Sequence, residues 1–325
     1  EDRIIKDESE LLGIGHRVVH GGELFNEPAL IDDKVIAGIS SLIPLAPLHN
    51  PSNLLGIELA RTRFPGVPQV AVFDTAFHHT LPPHVFHYAV PNEWYTGHHV
   101  RRYGFHGTSH LYVSREAASF LRKSPESVNI ITIHLGNGTS CAAVQRGKSV
   151  DTSMGMTPLE GRVMGPRSGD IDPSLSFFIM REMGMSADQV EESLNSQSGL
   201  LGICGVNDMR EIEGRAKNGD ERANLALEIF CYRIKKYIGA YCAVLGRLDA
   251  IVFTGGIGEN SVLVRSMVCS GLDHMGISLN EARNAVASGN VAEIQAVGAA
   301  VKVLVIQTDE EREIARQTIL SIEKT

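Results

Sequence analysis

The chain has no apolar run approaching the roughly 20 residues that a bilayer-spanning helix needs, and its opening residues carry no signal-peptide pattern. It has no excess of positive charge either. A net charge of −8 argues against nucleic acid or an anionic membrane surface as the main partner. Cysteine is scarce and scattered: Cys141, Cys204, Cys231, Cys242 and Cys269 are odd in number and form no CxxC pair. A disulfide framework and a zinc site are therefore not expected, and a reducing cytoplasm is the expected location. Phosphate ligands remain open, because local geometry binds them whatever the net charge. With 43% apolar and 21% charged residues, the chain has an ordinary globular balance. Its 325 residues suit two domains with separate cores.

The stretch IVFTGGIGEN, residues 251–260, reads as a buried strand running into a glycine turn and then a helix, with Asn260 or Ser261 as N-cap. Glycines there let the backbone turn sharply and approach something bulky. Two uses fit: a nucleotide turn, whose free N–H groups and helix dipole favour anions, or a plain tight connection. Residues 129–135, NIITIHL, form a second strand, and a Gly/Asn/Ser-rich turn returns the chain as a hairpin. A third strand covers 147–153. The long amphipathic helix 221–245 precedes the opening strand, and VKVLVI near 301–306 is another buried strand.

Upstream, strands are expected at 11–19 and 68–74, and helices at 32–42 and from about Asn50 to Arg63. The segment 82–100 looks irregular, and 198–208 reads as a loop. Arg17 and His20 stand at the end of the first strand, where a cation either reaches solvent or meets an anion. Asp74, ending the second strand, is a catalytic carboxylate or a helix N-cap. His106, among glycines before a helix, is a phosphate contact or a packing residue. The loop 154–172, with four glycines and two arginines, is too irregular for regular structure. Structured loops of that length tend to be functional. Its Arg167 either presents a guanidinium from a rigid turn or is solvated.

The segments GHRVVHGG, PLAPLHNP, AVFDTAFHHT, RRYGFHGTSH, HLGNG, DTSMGMTPLEG, RSGDID, SGLLGI, TGGIGEN and TDEE run in order from Gly15 to Glu311. Together they resemble the acetate and propionate kinase family of the acetate/sugar kinase–actin superfamily. The resemblance implies an α/β fold of two ribonuclease H-like, actin-like ATPase domains with an interdomain cleft. The first would hold residues 1–76 plus 312–325, the second 77–311. It implies reversible transfer of the γ-phosphoryl of ATP to acetate, giving acetyl phosphate and ADP. Such a reaction asks for positioning and charge stabilisation more than covalent chemistry. Asp74, His106 and Arg167 would be catalytic. Arg17 would bind the carboxylate, with Val19, Leu48, Phe105 and Pro158 around the acyl group. His134, Leu135, Gly136, Asn137 and Gly138 would lie along the phosphates. Asp208, Met209, Arg210, Gly256, Ile257, Gly258, Glu259 and Asn260 would hold the adenosine. Glu310 would reach Mg2+, with Mn2+ as an alternative ion. A homodimer through the second domain is also implied.

Four departures stand out. MGPRSGD replaces the usual MGTRSGD, so Pro166 lacks a hydroxyl and an N–H beside Arg167. GVNDMR is one residue shorter than the family pattern, and PTNEE has become QTDEE. The family's opening segment, with an Asn-x-Gly-Ser-Ser-Ser-x-Lys turn and the first strands of the first domain, is not found in this sequence. The first domain is accordingly expected to be N-terminally incomplete. An inactive nucleotide-binding or dimerising remnant is then the alternative to an active kinase. Where propionate-preferring relatives read HRIAHGG, this chain reads HRVVHGG, and Val19 in place of Ala narrows the acyl pocket towards acetate.

Overall fold

Residues 8–324 are described by a computed structural model. By internal contacts they form two units: residues up to Tyr112 together with those from Asp309 onward, and Val113–Thr308. The family resemblance implies a first boundary at 76/77, whereas the contact boundary falls at 112/113. Residues 77–112 stay with the first unit through hydrogen bonds and an ion pair. Gly107 N–H donates to the Asp74 carbonyl at 2.9 Å, and Arg101 pairs with Glu23 at 2.7 Å.

The first unit holds β1 (Ile14–Val18), β2 (Ala29–Leu30), α1 (Asp33–Ser41), α2 (Asn50–Arg63) and β3 (Gln69–Phe73), then α3 (Pro83–Phe86), α4 (Asn92–His98) and the start of α5 (Gly107–Phe120). Its sheet has the order β1-β3-β2. β1 runs parallel to β3, in register from Ile14↔Gln69 to Val18↔Phe73, and β2 is antiparallel. Every residue of β3 is buried, as a central strand requires. Asp32 caps α1 by accepting from the Val35 N–H at 2.8 Å. α1 and α2 bury Ile39, Leu54 and Ile57 against Val18, Ala71 and Phe73. The two short helices α3 and α4 replace the irregular structure expected at 82–100. Elements of four and seven residues are too short to show a period, and prolines in or just before their first turns favour helix starts. β2 was likewise too short to be legible.

The second unit continues with β4 (Asn129–Leu135), β5 (Thr139–Gln145), β6 (Lys148–Thr152), α6 (Ser174–Met183), α7 (Ala187–Ser196), α8 (Gly199–Cys204), α9 (Met209–Lys217) and α10 (Glu221–Leu245). It ends with β7 (Ala250–Thr254), α11 (Gly255–Asn260), α12 (Val262–Cys269), α13 (Glu281–Ala285), β8 (Val291–Glu293) and β9 (Lys302–Ile306). The strand order is β6-β5-β4-β7-β9-β8. β4, β5 and β6 form an antiparallel meander, and β4, β7 and β9 run parallel. α10 buries Ala226, Phe230, Ile234 and Ile238 in one core with Ile131, Ile133 and Phe253. Two expectations are corrected here. α8 occupies part of the expected loop 198–208, starting at Gly199 with φ +61°. The glycine turn after β7 is itself a helical turn, α11, and Ser261 caps α12 by accepting from the Val264 N–H at 3.0 Å.

The terminal helix α14 (Glu310–Glu323) belongs to the first unit and packs on β1 and β3. Close approach explains two glycines. A Cβ on Gly13 would lie 2.3 Å from Ile322 Cδ1, and one on Gly15 would lie 2.5 Å from Thr318 Oγ1. No helix among the described residues is long and apolar enough to cross a membrane. All five cysteines are free thiols.

Candidate functional site

In the first unit the chemistry gathers at the C-terminal ends of β1 and β3, where open α/β sheets place ligands. Asp74 follows β3, only 1% exposed, and its N–H donates to Val18 O at 2.9 Å. Arg17 reaches across from β1 with a two-pronged contact: Nε donates to Asp74 Oδ1 at 3.1 Å and Nη2 donates to Oδ2. Nε also lies 3.7 Å from Glu310 Oε2 at the start of α14. Burial, and then the charge of Asp74, push the Glu310 carboxyl above its usual range, with Arg17 opposing. So Arg17, Asp74 and Glu310, taken from three distant stretches of sequence, form one cluster. Asp74 is not a helix N-cap, since Thr75 precedes the 3-10 turn Ala76–Thr80.

The flanks of this cluster are fixed by groups that sequence inspection passed over. Asn53 Oδ1 accepts from the Val19 N–H at 3.1 Å, Asn50 Oδ1 from the His20 N–H at 3.2 Å, and Thr75 Oγ1 from the Gly21 N–H at 3.0 Å. Asn50 is fully buried. The signal was present in NPSN, two asparagines one helical turn apart, beside an apolar face. His106 has φ +56°, a left-handed backbone rare for a residue with a side chain. The following Gly107 abuts Asp74, since a Cβ there would sit 2.2 Å from the Asp74 carbonyl oxygen. α5 therefore starts at Gly107. Of the expected acyl-pocket residues, Phe105 is buried with its ring 5.6 Å from that of His20, and Val19 is half-buried. Leu48 is 76% exposed. Pro158 belongs to the second unit.

His78 lies beneath this region, its Nε2 hydrogen-bonded to Phe105 O at 3.1 Å. Burial lowers its pKa to about 4. The unfolded chain, with histidine near its ordinary value, then binds more protons than the native state between pH 6.5 and pH 4. Stability contributed by neutral His78 is full above pH 6.5 and declines as pH falls through that window. One proton corresponds to at most about 1.4 kcal/mol per pH unit. Urea midpoints measured at pH 7 and pH 4.5 should fall more steeply for the parent than for His78→Gln. Equal slopes would refute the assignment.

In the second unit the two glycine turns are neighbours, because β4 and β7 are adjacent parallel strands with His134 opposite Thr254. A Cβ on Gly255 would come within 2.9 Å of Leu135 O, so the turns touch. Glu259 Oε1 accepts from Gly255 N–H at 2.8 Å and Thr308 N–H at 3.1 Å, so its carboxylate pins the turn. Asn260 Nδ2 donates to Gly256 O at 2.8 Å. Asp208 caps α9 and holds Arg210 through Nε at 3.0 Å and Nη2 at 2.6 Å. Arg210 and its backbone hold the Asp208 carboxyl down at about 2. Beside Arg210 an open cavity of about 620 Å³ is lined by Glu213, Lys217, Leu227, Leu263 and Met267.

The arginine loop is laced to the first glycine turn. Arg162 Nη2 donates to His134 O at 3.0 Å, Thr139 Oγ1 to Val163 O at 3.2 Å, and Gly165 N–H to Asn137 O at 3.1 Å. From the other side, Ser198, Leu200 and Leu201 N–H groups donate to Pro166 O, Met164 O and Gly165 O at 2.8, 2.9 and 2.9 Å. Pro166 thus keeps its carbonyl in use even without an N–H. Arg167 is half-buried, and burial lowers its pKa from the usual arginine value without removing the charge. Its guanidinium has no carboxylate partner within its own unit among the described residues. A desolvated, unpaired guanidinium on a rigid loop is suited to meet an anion.

The comparisons with known proteins agree on one family. The sequence pattern of the acetokinase family matches residues 1–316. The acetate kinase of Syntrophobacter fumaroxidans is 60% identical over 312 residues, covering 96% of this chain and 76% of that protein. The crystal structure of Porphyromonas gingivalis acetate kinase superposes with a TM-score of 0.95 at 48% identity, covering 98% of this chain and 80% of that one. A propionate kinase from Francisella tularensis superposes with a TM-score of 0.91 at 47% identity, covering 95% and 79%. With the two α/β sheets described above, these matches give the chain the actin-like ATPase fold. On its sequence, its fold and its clustered Arg17, Asp74 and Glu310, the chain belongs to the acetokinase family.

Proposed function

We propose that the chain is an acetate kinase, transferring the γ-phosphoryl of ATP reversibly to acetate. The observation that carries this proposal is the buried Asp74 carboxylate gripping Arg17, with Glu310 beside them. Arg17 receives the acetate carboxylate on guanidinium N–H groups that the Asp74 contact does not use. Asp74 orients Arg17 and removes no proton, since acetate is already ionised at neutral pH. Arg167 and His106 stabilise charge on the transferring phosphoryl group. His134, Leu135, Gly136, Asn137 and Gly138 hold the phosphates. Met209, Arg210, Gly256, Ile257, Gly258 and Asn260 hold the adenosine. Glu259 and Asp208 act indirectly, by shaping the turn and the helix start.

Among the described residues, no three or more His, Cys, Asp or Glu side chains gather as a cage. Magnesium is usually held by one or two carboxylates together with substrate phosphates. Glu310 and Asp74 supply two neighbouring carboxylates; burial first and the Asp74 charge second raise the Glu310 pKa, and a cation would offset both. These residues fit Mg2+, or Mn2+, whose contribution when bound is to neutralise phosphate charge. We also assign the chain to the cytoplasm and to homodimers, the exposed apolar residues Leu175, Phe177, Phe178 and Met183 on or beside one face of α6 being the candidate contact.

Trapping acetyl phosphate with hydroxylamine tests the reaction directly. A folded chain that gives no hydroxamate from ATP and acetate would sink the proposal and favour the inactive alternative. Acyl selectivity is a second test. The Val19 backbone is held by Asn53, so Val19→Ala enlarges the pocket without moving the strand end. One methylene is worth about 1–3 kcal/mol. The propionate-to-acetate ratio of kcat/KM should rise about tenfold in that variant. An unchanged ratio would remove Val19 from the acyl pocket.

A further inference from the structure

Arg162 is as deeply buried as any side chain in the second unit, with 0% exposure. It nevertheless makes no ion pair among the described residues. Nη2 donates to the His134 carbonyl at 3.0 Å, while Nε and Nη1 have no hydrogen-bonding partner among the described residues. Its ionisable neighbours are Cys141, Tyr237 and Tyr241. Asp170 accepts from the Tyr237 hydroxyl at 2.7 Å through Oδ2 and from the Gly161 N–H at 2.8 Å through Oδ1, and makes no hydrogen bond or ion pair with Arg162. Burial lowers the arginine pKa, but a guanidinium keeps its proton in proteins. The core therefore holds a positive charge with no directly paired counter-charge among the described residues. Such a charge is expensive unless something offsets it. Its single bond marks where the offset arises, because His134 is the last residue but one of β4 and opens the turn through Leu135 to Gly138.

We propose that Arg162 is a positioning residue for the nucleotide phosphates, holding the 134–138 turn through the His134 carbonyl and having its charge balanced when phosphates bind there. This goes beyond the proposed reaction while resting on the reading that this turn holds phosphate. In a low-dielectric interior a charge acts over distances that water would screen. The same guanidinium therefore destabilises the ligand-free protein and favours the phosphate-bound one. Its position in the loop that carries Arg167, five residues on, ties the phosphate turn and the transferring guanidinium to one support.

The test compares the parent with Arg162→Leu and Arg162→Lys. Ligand-free Tm, the Tm shift on adding ADP, and the KM values for ATP and for acetate are measured separately. Arg162→Leu should match or exceed the parent in ligand-free Tm, because an unbalanced buried charge is removed. Its KM for ATP should rise at least about tenfold and its ADP-induced Tm shift should shrink, while its KM for acetate stays within about twofold. Arg162→Lys, which keeps a charge, should recover most of the ATP affinity. A ligand-free Arg162→Leu protein that is markedly less stable would overturn the inference, as would an unchanged KM for ATP. So would KM values rising together, or a lysine variant no better than leucine. A parent with no ADP-dependent Tm shift would sink the phosphate-turn reading itself. A parent that responds to ADP, with an Arg162→Leu variant responding equally, would sink only the role of Arg162.

Discussion

Asp74→Asn should lower kcat by about 10³-fold while leaving a folded protein. The substitution preserves size and one acceptor but removes the charge that holds Arg17. In the parent, both carboxylate oxygens face the guanidinium, Oδ1 at 3.1 Å from Nε, and Oδ1 also accepts weakly from Thr108 Oγ1 at 3.4 Å. An amide can face only one guanidinium N–H with an acceptor, so its NH₂ would confront the other prong. Arg17, whose side chain is 43% exposed, would then swing towards solvent or Glu310. Loss of orientation appears in kcat more than in KM. The destabilisation should be smaller than for a fully enclosed pair, because solvent already screens Arg17. Steady-state kinetics with circular dichroism as the folding control would check this. A kcat within tenfold of the parent would show that Asp74 does not organise the site.

Arg167→Lys should lower kcat by about 10²-fold, and Arg167→Ala by about 10³-fold or more. Lysine keeps the charge but not the planar fork, so the difference between the two variants separates geometry from charge. The loop itself should persist in both. Its hydrogen bonds run through the backbone of Met164, Gly165 and Pro166 and through Gly199 and its neighbours. They do not pass through the Arg167 side chain. Gly199 is needed at φ +61°, where a Cβ would lie 2.3 Å from Met164 O. Thermal stability should therefore change little, and the KM for acetate should move less than kcat. If Arg167→Ala lost stability and kept kcat, the residue would be structural.

Much of the molecule is legible in its sequence. Buried β-branched runs gave the strands at β3, β4, β7 and β9, and a 3.6-residue period gave α1, α2 and α10, because those signals are local. Short elements were not legible: β2 has two residues, and α3, α4, α8 and α11 have four to seven, too few to show a period. The contact boundary at 112/113 was not legible for another reason. It depends on pairings such as Arg101 with Glu23, 78 residues apart, which no local pattern encodes.

The sequence by itself determined which chemical groups are present, their order, and the family to which they belong. It singled out Arg17, Asp74, Arg167 and Glu310 as residue types suited to carboxylate and phosphate. Only the tertiary structure decided which of them meet. Parallel pairing of β1 with β3 aligns Arg17 with Asp74, and α14 brings Glu310 from the far end of the chain to within 3.7 Å of Arg17. Likewise, the adjacency of β4 and β7 makes one surface of two glycine turns that lie far apart in sequence. Arg162 shows the limit most sharply. As a letter it was the first of two arginines in an irregular loop, and only packing reveals that its charge is fully buried and has no ion-pair partner among the described residues. Burial and pairing are properties of long-range contact, and a side chain's environment fixes what its chemistry can do.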